Sequence, residues 1–178
     1  MIRQKQYKFL EKEYSPKVIT ELVKVWGIKE IVGKTHNKTI LNWAKYLDLE
    51  KTYTSDEVPW CGLLVAYIVK QAGFEPVKNP LWARNWLNFG TEVKKGDEKL
   101  GDVLVFGRDG GGHVGFYIGE DGTCFHVGGG NQSNMVNGTR ILKNRLLGCR
   151  RCEWKISEPK GVRKIKINSN GVISLNEQ

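Results

Sequence analysis

The chain has 178 residues, of which 40% are apolar and 10% aromatic. This length and composition suit one domain with a real hydrophobic core and exclude a mostly disordered chain. Lysine and arginine outnumber aspartate and glutamate by 28 to 19, a formal net charge of +9 that favours an anionic lipid surface, nucleic acid or an acidic cell wall as partner. No recognition-helix, zinc-finger or aromatic-platform signature accompanies the basic residues, so we expect mostly solvated basic faces and no nucleic-acid partner.

The first fifteen residues carry charge throughout and contain no continuous apolar stretch, so no secretory signal is predicted. No segment reaches the length of a transmembrane helix. We therefore expect a monomeric protein that is made in the cytoplasm. It would reach any external target after release, or by export through another system.

The four cysteines are not expected to form a disulfide framework in a chain without an export signal. Cys149 and Cys152 have C-x-x-C spacing, but no second pair accompanies them, so a tetrahedral zinc site is not predicted. We expect Cys124 and this pair to be structural thiols. No metal and no cofactor is expected.

The first half of the chain is predicted to be helical. Apolar residues recur at helical spacing over residues 16–26, and Asn37 is placed to cap a second helix. Residues 60–71 are apolar on nearly every side, so we expect them to form the central, most enclosed helix. A short fourth helix is predicted over residues 80–88.

The second half changes to the short β-rich runs that are typical of strands. They cover residues 102–106, 113–118, 123–127, 139–142 and 146–154. Helices followed by strands indicate an α+β fold with an antiparallel sheet. We expect one domain over residues 1–157. Residues 158–178 would form a short basic C-terminal β-hairpin extension, with its turn at Asn170-Gly171.

Cys61 is the residue whose position points most directly to chemistry. It follows Pro59-Trp60 at the predicted first turn of the central helix, where unpaired N–H groups and the helix dipole favour a thiolate. His113 stands at the start of a predicted strand, after a run of glycines. A cysteine paired with a histidine indicates nucleophilic acyl chemistry. The N–H of Cys61 is expected to contribute to an oxyanion hole.

A third group should orient the histidine ring and fix its tautomer. If Gly119 faces Gly122 across a hairpin turn, His113 lies opposite Gly128, and His113 and His126 face the same side of the sheet. His126 is then one candidate for the orienting residue. Asn131, just past the end of the same strand, is the other.

Four motifs follow one another in the order cysteine, histidine, polar residue. They are PWC at 59–61, GDVLVF at 101–106, GHVGFY at 112–117 and GGNQ at 129–132. Together they resemble the CHAP and NlpC branches of the papain-like cell-wall hydrolases, over about residues 16–152. The resemblance implies a papain-like fold in which N-terminal helices pack on an antiparallel sheet.

The same resemblance implies a thiolate that attacks an amide of peptidoglycan, and a thioester that water then hydrolyses. Cys61 would be the nucleophile and His113 the general base and then acid. Asn131 matches the third position of CHAP members, and His126 falls near the third histidine of NlpC members. The sequence departs from the CHAP pattern at Gly129, where an acidic residue often stands.

Two further residues in these motifs, Gln132 and Trp60, are alternative orienting or substrate-binding residues. The expected substrate is peptidoglycan, the expected further partner an anionic wall polymer, and the expected setting a phage endolysin. Trp82 and Trp86 are expected in the core, although one tryptophan of the chain would be free to line a substrate groove. We expect Asp102 to shape a turn. We expect His36 to have a capping role in a surface loop and not to contact substrate.

Other classes of function are compatible with parts of the sequence. The basic surface suits a non-catalytic module that binds cell wall or nucleic acid. The same catalytic residues also suit an acyltransferase or a toxin-like amidase. Residues 27–35 resemble a phosphate-binding loop, but five residues separate their glycines where the motif has four, so nucleotide binding is not predicted.

Overall fold

The computed structural model describes residues 1–12, 14–154, 157–168, 171–175 and 177. Three α-helices lie in the first half of the chain: α1 (Lys17–Lys24), α2 (Lys38–Tyr46) and α3 (Cys61–Gln71). Three 3-10 helices accompany them, at Lys5–Glu11, Ala83–Asn88 and Lys143–Arg145. The three predicted α-helices are thus confirmed with slightly shorter ends, and the predicted fourth helix is a 3-10 helix.

The helix ends follow from local chemistry. The Asn37 side chain accepts a hydrogen bond from the N–H of Thr39 at 2.8 Å, which caps α2 as predicted. The central helix α3 is buried along almost its whole length, as its apolar composition requires. It ends at Gly73, whose φ of +90° is readily adopted only by glycine.

The second half of the chain forms one seven-stranded sheet, in the spatial order β1-β6-β2-β3-β4-β5-β7. The strands are β1 (Thr91–Glu92), β2 (Val103–Arg108), β3 (Gly111–Glu120), β4 (Cys124–Gly129), β5 (Asn137–Leu142), β6 (Leu146–Arg151) and β7 (Ile173–Ser174). The α+β class is confirmed. The prediction of a purely antiparallel sheet is wrong, because β7 pairs parallel with β5. After β5 the chain crosses to the other half of the sheet, where β6 lies between β1 and β2. It then returns to the edge beside β5, where β7 runs in the same direction as β5.

The hairpin of β3 and β4 has a different register from the predicted one. Gly119 pairs with His126, and Gly128 pairs with Phe116 instead of His113. A β-bulge between Tyr117 and Gly119 shifts the pairing. The prediction that Gly119 lies opposite Gly122 across a tight turn is therefore wrong.

The turn of this hairpin closes later than predicted because of a local hydrogen-bonding side chain. The carboxylate of Asp121 accepts hydrogen bonds from the N–H groups of Thr123 and Cys124, each at 2.9 Å. Such an Asx-type turn replaces the expected glycine turn and lets β3 continue to Glu120.

The bulge also reverses the side to which His126 points. Tyr117 pairs with Val127, and both belong to the apolar cluster on one face of the sheet, so His126, the neighbour of Val127, points to the other face. His113 pairs with Phe106, which belongs to the same cluster as Tyr117. The two histidines therefore lie on opposite faces, contrary to the prediction.

Two apolar clusters hold the fold together. The larger one fills the space between the helices and one face of the sheet, and it includes Trp60, Leu64 and Phe116. The smaller one covers the other face and consists of Leu104, Phe106, Tyr117, Phe125, Val127, Ile141 and Cys149. The sheet is thus buried on both faces over its centre. In the described part of the chain, no helix has the length and apolarity that crossing a membrane requires.

Residues 162–167 pack directly on the sheet. The N–H of Ile167 donates to the backbone oxygen of Glu120, whose own N–H donates to that of Ile165, both at 2.9 Å. Val162 and Ile167 are buried. The predicted hairpin turn includes Asn170, which lies outside the described residues. The residues on either side of that turn pair with β3 and with β5.

Candidate active site

Cys61 is the first residue of α3, and its side chain is 5% exposed. The preceding Trp60 fixes this helix end from inside the core, because its indole N–H donates to the Glu30 carboxylate at 2.9 Å. The ring packs so closely on Gly130 that a Cβ there would approach it to 2.5 Å. Trp60, a candidate for substrate contact, is fully buried and serves the core instead.

The thiol of Cys61 is protonated in this closed structure. Burial raises the pKa of the thiol and outweighs the N–H groups of Val114 and Gly62 and the charge of Arg108, which favour the thiolate. The expected lowering of the pKa by the helix start is therefore wrong for the resting state. The contact with Val114 places the sulfur beside the residue that follows His113 in β3.

His113 lies in β3 and is 1% exposed. Its Nε2 is 3.0 Å from the amide oxygen Oε1 of Gln132. An amide oxygen only accepts hydrogen bonds, so Nε2 carries the proton and Nδ1 is left as a free base. Burial lowers the pKa of the ring to about 4, against the opposing effects of Glu177 and Gln132. The resting pair is thus a neutral thiol and a neutral imidazole.

The orientation of the Gln132 amide is set by its own partners. Its Nε2 donates to the backbone oxygens of Asn137 at 2.7 Å and Val127 at 3.2 Å. With the NH₂ group engaged there, the oxygen faces His113. Gly129 leaves the space for this side chain, because a Cβ at that position would lie 3.1 Å from Oε1. Gln132 is therefore held as an orienting group for the histidine.

Asn131, the predicted orienting residue, is buried, but the ring N–H of His113 donates its hydrogen bond to Gln132. Asn131 has a φ of +55°, a left-handed conformation that asparagine tolerates better than most residues. This conformation turns the chain at the end of β4. The side chain that contacts the His113 ring is thus Gln132, the alternative within the same GGNQ motif.

His126 takes part in a different network. Its Nδ1 is 2.8 Å from the hydroxyl of Tyr7 and its Nε2 is 3.0 Å from the carboxylate of Asp121. Arg140 donates to the same carboxylate at 2.8 Å. His126 therefore joins the 3-10 helix Lys5–Glu11 to the sheet, on the face opposite to His113.

The loop that precedes α2 is tied to the segment before Cys61 by a buried carboxylate. Asp56 accepts hydrogen bonds from the N–H groups of Ile31 and Asn37 at 3.0 and 2.8 Å, and its other oxygen is 2.8 Å from Nδ1 of His36. Burial raises the pKa of Asp56, but these three partners together hold it below its ordinary value. His36 thus anchors a loop, in agreement with its expected structural role.

Asp102 also has the structural role that was expected. It accepts a hydrogen bond from the N–H of Lys99 at 2.8 Å, which closes a turn, and it forms a two-pronged ion pair with Arg151 at 2.7 and 2.8 Å. The carboxylate thereby fixes the entry into β2, the strand that pairs with His113's own strand.

An open groove of about 430 Å³ reaches the residue before His113. It is lined by Trp82, Ala83, Arg84, Asn85 and Gly110 to Gly112. One wall ends at the residue before His113. The segment before the other wall is anchored to α3, because a Cβ at Gly62 would be 2.3 Å from the Pro80 oxygen. Trp82 is 73% exposed, so this is the tryptophan placed to line a groove.

A larger cavity of about 560 Å³ lies elsewhere and contains neither Cys61 nor His113. Its lining includes Glu120, Phe125 and Lys143. Phe125 belongs to the smaller apolar cluster, so this cavity is on the face of the sheet away from the helices. Neither Cys61 nor His113 lines the groove beside Trp82, but that groove ends at Gly112, next to His113, so it is the better candidate for substrate.

Comparison with known proteins gives one family match. The family model of the CHAP domain matches residues 53–131, a stretch that contains both Cys61 and His113. CHAP domains are typically amidases or peptidases, so the general activity that the match supports is hydrolysis of peptidoglycan. Gln132 lies one residue beyond the matched stretch. No curated protein matches the chain.

Proposed function

We propose that this chain, whose residues 53–131 match the CHAP domain, is a peptidoglycan hydrolase that cleaves an amide bond of wall peptides. Cys61 is the nucleophile, His113 is the base and then the acid, and Gln132 orients His113, on a papain-like arrangement of helix and sheet. The observation that carries the proposal is the hydrogen bond from His113 to Gln132, since it leaves Nδ1 unprotonated and able to act as a base, in the strand whose Val114 N–H faces the Cys61 sulfur.

The reaction begins with transfer of the Cys61 proton to Nδ1 of His113. The sulfur attacks the carbonyl carbon of the substrate amide, and the oxygen takes up the negative charge. N–H groups at the start of α3 have no partners within the helix, and that of Cys61 is placed to stabilise this oxygen. His113 then gives its proton to the leaving amine, and the remaining thioester is hydrolysed by water that His113 activates.

The neutral resting pair determines when the proton moves. Burial disfavours both the thiolate and the imidazolium, so the ion pair is formed during attack on the carbonyl and is scarce before it. When a substrate is bound, attack forms a new bond between sulfur and carbon and moves the negative charge from the sulfur to the oxyanion. Both changes offset the cost of forming the buried ion pair. The site is therefore poised to react with a bound amide in preference to free thiol reagents.

Substrate is proposed to approach along the groove beside Trp82. An exposed indole offers a flat apolar face for a sugar ring or a peptide side chain. Arg84, whose Nε donates to the backbone oxygen of Gly111 at 3.0 Å, lies in the same wall and brings positive charge to the groove. A wall peptide with free carboxylates matches this lining, and a phage lysin is the setting that we propose.

The test is digestion of purified peptidoglycan with the wild type and with Cys61→Ala, with mass spectrometry of the released fragments. We expect amide-derived fragments from the wild type only. Cys124→Ala, which removes another buried free thiol, is the matched control and should retain activity. Equal release by Cys61→Ala would refute the proposal. Fragments joined to an added amine would indicate an acyltransferase, and binding without release a non-catalytic module.

A further inference from the structure

Glu177 is a buried acid that the mechanism above does not use. Its side chain has no exposed surface, and it forms a two-pronged ion pair with Arg145, at 2.8 and 3.0 Å. Burial opposes ionisation, but Arg145 holds the pKa of Glu177 below its ordinary value. A full negative charge is thus held inside the protein, in a segment far from the catalytic residues in sequence.

Two backbone contacts place this ion pair next to the catalytic histidine. The N–H of Ser133, which follows Gln132, donates to the backbone oxygen of Glu177 at 2.9 Å. On the other side, Arg145 donates through two nitrogens to the backbone oxygen of Gly107, each at 3.1 Å. Gly107 pairs with Gly112, the residue before His113. The pair is therefore clamped between the neighbours of Gln132 and those of His113.

Three charged groups act on the His113 ring from the elements around it. Glu177 favours the protonated ring, whereas Arg108 at the end of β2 and Arg145 before β6 disfavour it. The effect of Glu177 is larger than that of either arginine and also exceeds that of the Gln132 hydrogen bond. Burial is the strongest influence and keeps the ring neutral at rest, so the carboxylate matters when a proton arrives.

We propose that Glu177 is a positioning residue for the catalytic step: its carboxylate, held by Arg145 beside the His113–Gln132 pair, stabilises the imidazolium that forms when His113 takes the Cys61 proton. In that step the S–H bond breaks, an N–H bond forms at Nδ1, and the charges become −1 on sulfur and +1 on the ring. The inference rests on the proposed function for its catalytic meaning. The ion pair of Glu177 with Arg145, and its contacts to the neighbours of Gln132 and His113, do not depend on it.

The first measurement is the protonation of His113 by ¹⁵N NMR between pH 3.5 and 6, in the wild type, Glu177→Gln and Arg145→Gln. Removal of the carboxylate should lower the fraction of imidazolium at a given pH. Arg145→Gln breaks the same ion pair but keeps the carboxylate, so it should raise that fraction. A role that is only structural would move both variants in the same direction or neither, and either result would overturn the inference.

The second measurement is the rate of peptidoglycan hydrolysis. We expect Glu177→Gln to lower kcat about tenfold at neutral pH with little change in KM, because the carboxylate acts on the proton transfer and not on binding. Glu158→Gln removes a more exposed acid, paired with Lys99 and Arg151, and should keep the wild-type rate. A changed KM with an unchanged kcat in Glu177→Gln would contradict the inference. Absence of hydrolysis in the wild type would contradict the proposed function and leave the NMR test intact.

Discussion

At the scale of single residues, the site depends on which side chain faces His113. Gln132 makes that contact because its NH₂ group is held by backbone oxygens and Gly129 leaves room for it. Asn131 and Gln132 are adjacent amides, and the left-handed φ of Asn131 turns the chain between them. Which of the two faces the histidine follows from the bulge in β3 and the turn after β4, and neither is visible in the composition of the motif.

We therefore expect Gln132→Ala to lower kcat about 100-fold, because the ring loses the group that fixes its tautomer while the base itself remains. Asn131→Gly should retain most of the activity, since glycine adopts the positive φ of this position without strain. Steady-state rates on peptidoglycan fragments measure both. The reverse order of the two effects would show that Asn131 is the orienting residue.

The buried His113 also makes stability depend on pH. The pKa of the ring is about 4 in the folded protein and about 6.5 when unfolded, so on acidification the unfolded chain takes up this proton first. Stability is therefore lost as the pH falls from 6.5 towards 4, by about 2 to 3 kcal/mol at pH 4.5 from this group alone.

Urea unfolding of the wild type and of His113→Gln at pH 7 and pH 4.5 measures this contribution. The other acidic groups and His126 titrate in both proteins, so the difference between the two losses isolates His113. We expect the variant to lose about 2 to 3 kcal/mol less than the wild type. Equal losses would show that the ring titrates normally in the folded protein.

At the scale of elements, the 3-10 helix Ala83–Asn88 and the start of β3 line the groove, and the segment before that 3-10 helix packs on α3. That segment and α3 touch where Gly62 lies against the backbone oxygen of Pro80. A Cβ at Gly62 would be 2.3 Å from that oxygen, so glycine is required for the close approach. The position of Cys61 relative to the groove is thus set by the residue that follows it.

Gly62→Ala is expected to destabilise the protein by about 1 to 3 kcal/mol, because the backbone of the 80–88 segment must move to admit the methyl group. Gly122→Ala is the control, since no atom lies within 4 Å of a Cβ there and its φ is not positive. Thermal unfolding of both variants measures the difference. Similar unfolding temperatures for the two would contradict the close contact.

Replacement of Trp82 tests whether substrate binds in the groove. Trp82→Ala should raise KM for peptidoglycan fragments about 10-fold with a smaller change in kcat, because an exposed aromatic side chain contributes binding more than chemistry. Tyr14 is equally exposed, at 73%, and Tyr14→Ala should leave both constants unchanged. An unchanged KM in Trp82→Ala would place the substrate elsewhere.

Local patterns in the sequence were sufficient for the elements but not for their long-range pairing. The helices were predictable because apolar residues recur at helical spacing and Asn37 provides a cap, and the central strands because β-rich runs end at turns. The bulge after Tyr117 was not predictable, since it depends on the Asp121 turn. The parallel pairing of β7 and the approach of Glu177 to His113 join residues more than thirty positions apart, for which no local signal exists.

At the scale of the whole molecule, the sheet connects the catalytic pair to the segment that contains Glu177. Lys166 pairs with β3, Ile173 and Ser174 pair with β5, and Glu177 forms its ion pair with Arg145. The site is thus assembled from α3, β3, the turn after β4 and the segment after β7. These parts are separated by up to about a hundred residues, so the active site requires the complete fold.

The net charge of +9 is a property of the whole surface. We expect the initial rate of digestion of an anionic cell wall to fall as salt rises from 50 to 500 mM, because screening weakens long-range attraction. Digestion of small uncharged peptide substrates should change little over the same range. An equal loss of rate on both substrates would assign the salt effect to the site and not to the surface charge.

The central claim is that Cys61 carries the reaction, and graded alkylation tests it most directly. The protein is modified with iodoacetamide to increasing extents, the fraction of Cys61 that is modified is measured by peptide mapping, and peptidoglycan hydrolysis is measured on the same samples. We predict that activity falls in proportion to modification of Cys61 and reaches zero when it is complete. Activity that persists with Cys61 fully alkylated would contradict the account.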